Sequence, residues 1–253
     1  MVQRKELLDY LQHLLKVDEF SDYCPNGLQI EGGSEIKHIV AGVTASQALI
    51  DAAVAENADA ILVHHGYFWK GENASITGMK KNRIKALLAA DINLLAYHLP
   101  LDAHTEFGNN AQLAIKLGIE NIVSSQLNGV NDLLWQGRLN QSLSATEFGQ
   151  RLENELGRTA LHLSSESNQP IKTLAWCSGG AESYIETAAE LGVDAYFSGE
   201  VSEQTMHQAR ELDIHYFAAG HHATERYGVQ ALAKHLHEKF GISYNFVDID
   251  NPV

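Results

Sequence analysis

The run IVAGVTASQALIDAAVAENADAILVHHG, Ile39 to Gly66, decides the fold. A short apolar segment, Ile39 to Val43, reads as a strand; Ser46 to Asn57 carries a helical pattern; and Ala60 to Val63 is a second strand that runs into two histidines and a glycine. Working outward, a helix over Asn82 to Ala90 and a strand over Asn93 to Tyr97 extend this to a βαβαβ series, which predicts an α/β layer fold. Upstream, Leu7, Leu8, Leu11, Leu14 and Leu15 recur at three- and four-residue spacing and predict an opening helix that packs by one face.

The rhythm returns downstream as strand Thr173 to Trp176, helix Glu182 to Leu191, strand Ala195 to Ser198, helix Glu203 to Leu212 and strand His215 to Ala218. The two series align without a gap at an offset of 135, pairing Ile50 with Ile185, Ala53 with Ala188, Asp59 with Asp194 and Ala60 with Ala195. Duplication and two unrelated βαβ units both fit so few identities. Between the series, Leu133 to Leu139 is strand-like, Ala145 to Leu156 is helix-like and Ser164 to Gln169 is a polar loop. Turn chemistry at Asn128-Gly129 and Asn131-Asp132 suggests a change of domain. The tail reads as a helix, Val229 to Phe240, and a strand, Ser243 to Ile249. The expected organisation is one α/β domain over 1–125, completed by 220–253, and a second over 126–219.

With 253 residues, a prior of ~150 per domain gives about 1.7 domains and excludes a small disulfide scaffold. The composition, 45% hydrophobic and 20% charged with 4 Pro, is that of a folded globular chain. Against 18 Lys and Arg stand 32 Asp and Glu, a net charge of −14 with no basic run, so nucleic-acid binding by phosphate neutralisation is disfavoured. Cys24 and Cys177 form no CxxC pair and read as buried thiols of a reduced compartment. No apolar run approaches the ~20 residues of a membrane span, and the start lacks a signal-peptide core. A cytoplasmic location is expected.

Of 13 histidines, six cluster behind predicted strands: His64-His65, His98 with His104, and His221-His222. In open α/β sheets ligands collect beyond the carboxyl ends of strands, so the clusters are candidates for one site. Adjacent residues on a strand point to opposite faces, which suits His64 and His65 to two neighbouring ions better than to one; a hydrogen-bonded pair at a turn is the structural alternative. In HLPLDAH, His98 to His104, Pro100 presents Asp102, whose two oxygens can bridge a metal pair ~3.5 to 4 Å apart or simply cap the next helix. His221 and Glu225 stand four apart where a strand gives way to a helix. They share one helical face and can converge on an ion, or form a pair exposed to water.

Taken together, the clusters nominate His64, His65, Asp102, His221 and Glu225 as ligands of two divalent ions. Nitrogen and oxygen donors without thiolate suit Zn, Mn, Fe, Co or Ni and exclude Cu(I). Five ligands for two ions leave coordination positions open, as in catalytic sites. His98, His104, His222 and Glu200 are candidates for orientation or proton transfer, with surface or core placement as the alternative. Tyr67 and Trp69 either line the pocket or pack. Gly179-Gly180 is a weak phosphate signal that more simply makes a tight turn, and no GxxxxGK[ST] run or GxSxG elbow is present. No residue is singled out as the catalytic acid or base, and no organic cofactor is indicated.

VHHGYFW, HLPLDAH followed by GNN, SGEVSEQTMH, AGHHATE and the early Asn26-Gly27-Leu28-Gln29 resemble the Nif-three-like family, the GTP cyclohydrolase 1 type 2 homologues. The resemblance spans nearly the whole chain. It implies two interlocked α/β domains, a two-metal site on the same five residues, and a toroidal homohexamer with its metal sites facing an inner cavity. Many members have HHP where this chain has His64-His65-Gly66, a departure that touches the turn and no ligand. The implied activity is a metal-dependent hydrolase acting on a nucleotide or similar small molecule, including opening of the purine ring of GTP with release of formate. A nucleotide phosphoesterase and a non-enzymatic ring with metal in an assembly role are the alternatives, since a shared site does not name a substrate.

Overall fold

The computed structural model describes residues 1–127 and 129–253, so the Asn128 half of the expected Asn128-Gly129 turn lies outside the described residues. In chain order the strands are β1 (Val2–Gln3), β2 (Gly27–Ile30), β3 (Glu35–Ile36), β4 (His38–Thr44), β5 (Ala60–His65), β6 (Asn93–Ala96), β7 (Ile119–Leu127), β8 (Val130–Leu143), β9 (Leu161–Leu163), β10 (Ile171–Trp176), β11 (Ala195–Ser198), β12 (His215–Ala218) and β13 (Ser243–Phe246). The helices are α1 (Arg4–Leu14), α2 (Gln47–Ala55), α3 (Gly78–Ala89), α4 (Leu99–Ala103), α5 (Asn109–Leu117), α6 (Ala145–Leu156), α7 (Ile185–Glu190), α8 (Thr205–Glu211) and α9 (His221–Phe240).

The chain divides into two units, Met1–Gly108 with Arg226–Asp250, and Asn109–Glu225 with Asn251–Val253. Residues 109–125, 220–225 and 251–253 therefore fall in the second unit. For the first of these segments the reason is strand pairing, because β7 pairs antiparallel with β8.

In the first unit the described residues form a sheet ordered β13-β4-β5-β6-β2, parallel except for β2. Alternation along the strands sorts their side chains into two cores. Ile39, Ala41, Ala60, Leu62, Leu95 and Tyr97 join Leu7 and Leu11 of α1 and Val229, Leu232 and Leu236 of α9. Val40, Ile61, Val63, Leu94 and Ala96 join Leu49, Ile50 and Ala53 of α2 and Ile84 and Leu87 of α3. Burial on both faces explains why β4 to β6 read as continuous apolar runs. Ser46 caps α2, its Oγ accepting from Leu49 N–H at 3.3 Å, a contact worth ~1 kcal/mol in typical helices.

The second unit carries a sheet ordered β7-β8-β10-β11-β12-β9, with β10, β11 and β12 parallel. Phe148 of α6 packs edge-on against Phe217 and near Phe197, and Trp176 stacks on Phe197. A capping box between Ser144 and Glu147 opens α6, and Gly157, at φ 67°, closes it.

The offset of 135 corresponds to a repeated hydrogen-bond device. Asp59 Oδ2 accepts from Lys37 and His38 N–H at 2.7 and 2.9 Å, and Asp194 Oδ2 accepts from Lys172 and Thr173 N–H at 2.8 Å each. In both units a carboxylate just before one strand thus pins the start of its parallel neighbour.

Several local readings change, among them the tail helix, which begins at His221 ahead of the expected Val229, and the tail strand, which ends at Phe246 short of Ile249. α3 begins at Gly78, ahead of the expected Asn82, because its exposed first turn carries no apolar face. The expected helix from Glu182 starts as a 3₁₀ turn, Glu182–Tyr184, before α7. β7 carried no sequence signal: among its residues only Ile119 and Leu127 are buried, so no alternation marks it. Among the described residues, no helix is long and apolar enough to cross a membrane.

Candidate metal centre

In the first unit β5 ends in His64, fully buried, and His65, partly buried, with ring centroids 4.6 Å apart. His64 Nδ1–H donates to Tyr97 O at 3.0 Å, which turns Nε2 toward Asp102 Oδ2 at 3.4 Å. His65 Nδ1 shares a hydrogen bond with Thr44 Oγ1 at 3.2 Å, so Nε2 is the nitrogen that could coordinate an ion. Asp102 lies inside α4, seven positions before the start of α5, and is buried with Oδ2 facing His64.

The stretch after His65 is clamped by Gln29. Its Oε1 accepts from Tyr67 N–H at 2.6 Å and its Nε2 donates to Tyr67 O at 3.1 Å. A side chain at Gly66 would meet that Oε1 at 2.2 Å, so the glycine answers a close approach. Tyr67 packs, its hydroxyl donating to Ala45 O at 2.7 Å. Trp69 instead walls the imidazoles, edge-on to His98 at 5.0 Å and tilted against His65 at 5.9 Å.

His98 is a third imidazole of this cluster, its ring 5.0 Å from that of His64 and 5.8 Å from that of His65. One coordinating atom from each of the three lies within 4.8 Å of the others. Asp22 holds it: Oδ1 accepts from His98 Nδ1–H at 2.7 Å and Tyr23 N–H at 2.6 Å, Oδ2 from Asn26 Nδ2–H at 2.8 Å and Leu99 N–H at 3.0 Å. Asn26 Oδ1 accepts from His98 N–H at 2.7 Å. Burial works against the Asp22 charge, yet these donors, His98 foremost, keep its carboxyl below the ordinary range. Four donors saturate Asp22, so a cation bound by Asp22, Cys24 and His98 is disfavoured. Cys24 is a buried thiol pushed up to about 12 by burial and by the Asp22 charge. Cys177 is buried as well.

In the second unit β12 runs into Gly220 and the first turn of α9. His221 Nε2 lies 3.2 Å from Glu225 Oε2, and His221 Nδ1–H donates to Glu200 Oε1 at 2.6 Å. Glu225 is buried, 3% exposed, so this is no pair on a wet helix face. Burial opposes charge on His221, but hydrogen bonds and attraction from Glu225 and Glu200 outweigh it and push its pKa up to about 9. Two carboxylates about one imidazole favour a cation there. Gly179, at φ +65°, leaves the room: a Cβ would stand 2.2 Å from Glu225 Oε1 and 3.2 Å from His221 Nε2.

The donor geometry fits metal ions. Two ligands bound at ~2.0–2.1 Å in a tetrahedral shell stand roughly 3.3 Å apart, and each unit presents an Nε2 and a carboxylate oxygen at 3.4 or 3.2 Å. Glu200 and His98 occupy orienting and adjoining positions. His104 does not: its Nδ1 accepts from Glu106 and Phe107 N–H at 3.2 and 3.0 Å and staples its own loop. His222 is buried, its N–H donating to Val253 O at 3.0 Å. Sequence reasoning missed Asp22 and Thr44, which carry no spacing signal; only Asn26 and Gln29 stood out as a motif.

The profile of the family described as Duf34/NIF3 (NGG1p interacting factor 3) matches residues 2–252. The chain belongs to the DUF34/NIF3 family. A protein of Allochromatium vinosum called GTP cyclohydrolase 1 type 2 homolog is 54% identical over 252 residues, covering 100% of this chain and 98% of its own. One of the same name from Escherichia coli K12 is 49% identical over 251 residues, covering 99% and 100%. Among solved structures, the structural-genomics protein ybgI superposes with a TM-score of 0.93 at 49% identity, covering 100% of both chains. TTHA1606 from Thermus thermophilus gives 0.88 at 32% identity, again covering 100% of both. DUF34/NIF3 membership accounts for the α/β architecture, and the relatives' names state homology to a cyclohydrolase.

Proposed function

We propose that this DUF34/NIF3 chain is a dinuclear metal hydrolase acting on a nucleotide or similar small molecule, with His64, His65, Asp102, His221 and Glu225 as its ligands. The observation that carries the reading is the pairing, in each unit, of an Nδ1-anchored imidazole with a buried carboxylate at tetrahedral-edge distance. The donor set suits Zn, Mn, Fe, Co or Ni. When bound, two such ions supply Lewis-acid polarisation of a carbon or phosphorus centre and water of lowered pKa, ~7 in zinc enzymes.

The chain's own residues do the rest. Tyr97 O, Thr44 and Glu200 fix the imidazoles that bind. Trp69 shields one side of the first cluster. His98, held at Nδ1 by Asp22, takes up or releases a proton at Nε2. The resemblance to cyclohydrolases favours opening of a purine ring, and the same groups serve a phosphoester centre equally well.

The test is elemental analysis of the purified chain, followed by a nucleotide screen on metal-loaded protein that reads formate and phosphate separately. Formate from GTP supports the cyclohydrolase form, and phosphate alone supports the phosphoesterase form. Absence of bound metal after reconstitution overturns the reading. Light scattering checks the homohexamer that the resemblance implies.

A further inference from the structure

We infer that Arg158 is an anion-binding residue beside His221, placed to take the phosphoryl or carboxylate group of the molecule handled at that strand end. The inference deepens the hydrolase reading and rests on it for the nature of the ligand. Arg158 follows Gly157, the left-handed residue that ends α6, and its side chain lies over Gly220. A Cβ on Gly220 would stand 2.8 Å from Arg158 Cδ, 2.9 Å from Nη1 and 3.0 Å from Nε. Gly220 has φ +97° and immediately precedes His221, so a bare backbone position gives the guanidinium its seat one residue from a proposed ligand.

The Arg158 Nη1 atom is buried and, among the described residues, has no hydrogen-bond partner. A buried, unpaired guanidinium N–H is costly. In a chain with 32 acidic and 18 basic residues, an acidic partner for Nη1 was available in composition, yet none meets it among the described residues. The planar fork of Arg matches two oxygens of a phosphate or carboxylate, the pairing for which Lys is a poor substitute. A second feature adds to the same field. The 20-residue helix α9 starts at His221, so its positive dipole end points to the same place, with one first-turn N–H, that of His222, already given to Val253 O.

Calorimetric titration of the full-length, chelator-stripped protein at low ionic strength tests this with inorganic phosphate, and with malonate as the carboxylate arm. Arg158→Gln is expected to weaken binding of the preferred anion at least tenfold and Arg158→Lys to restore part of it. Arg151→Gln is expected to leave it unchanged, since Arg151 Nη1 donates to Leu117 O at 3.2 Å. Binding of malonate alone assigns a carboxylate, and binding of phosphate a phosphoryl group. Wild-type protein that binds neither anion, or a well-folded Arg158→Gln that binds as wild type, overturns the inference. Because the titration is metal-free, failure of the metal reading shows separately, as loss of metal uptake with anion binding intact.

Discussion

His221 Nδ1–H donates to Glu200 Oε1 at 2.6 Å, so the carboxylate fixes both the tautomer and the aim of the imidazole whose Nε2 faces Glu225. Removing the charge of such an orienting partner costs ~10–100-fold in metal affinity elsewhere. Glu200→Gln should therefore lower affinity for the second-unit ion by about that factor while leaving thermal stability near wild type, since Glu200 is partly exposed. Competition titration against a chromophoric chelator reads it, and unchanged affinity would remove Glu200 from the site.

Asp102 is buried with Oδ2 3.4 Å from His64 Nε2. Asp102→Ala should reduce bound metal below two ions per chain while unfolding stays cooperative. Elemental analysis beside a urea curve separates these effects, and full metal content in the variant counts against Asp102 as a ligand.

Gly179 combines a left-handed φ with a Cβ position 2.2 Å from Glu225 Oε1. Gly179→Ala should cost ~1 kcal/mol or more from backbone strain and should also displace Glu225, lowering metal uptake. A variant that loses stability yet binds metal normally would show that Glu225 has room to adjust.

Asp22 accepts four hydrogen bonds around His98. Asp22→Asn offers an NH₂ where donors already point and should destabilise the fold by about 1–3 kcal/mol, with the His98 ring losing its preferred orientation. Urea denaturation measures the first effect, and the His98 imidazole NMR shifts report the second.

His104 and His162 are both held neutral, their pKa values lowered first by burial; His215 lowers His162 further, while Glu106 partly opposes the effect at His104. A histidine with a lowered folded-state pKa binds more protons when unfolded, so stability rises with pH across the interval between the two values. The melting temperature should fall as pH drops through ~6.5, the unfolded value. His104→Gln with His162→Gln should flatten that slope, and an equally steep slope in the double variant would assign it to other groups.

Much of the fold was legible because the central strands are buried on both faces, which leaves uninterrupted apolar runs such as Ile39 to Val43 and Ala195 to Ser198. The repeat at offset 135 was legible as four identities. Its physical content, Asp59 and Asp194 pinning neighbouring strands, needed the backbone. β7 stayed hidden because an edge strand buried only at its ends carries no periodicity.

By itself the amino-acid order determined the α/β class and the nomination of His64, His65, Asp102, His221 and Glu225, since strand-end placement and i, i+4 spacing are local properties of the chain. Tertiary structure alone decided which nitrogen of each imidazole is tied, that Asp22 holds His98 across 76 positions and Glu200 holds His221 across 21, and that Arg158 lies over Gly220. Hydrogen-bond direction and steric clearance depend on distances between segments far apart along the chain, and no local spacing encodes those.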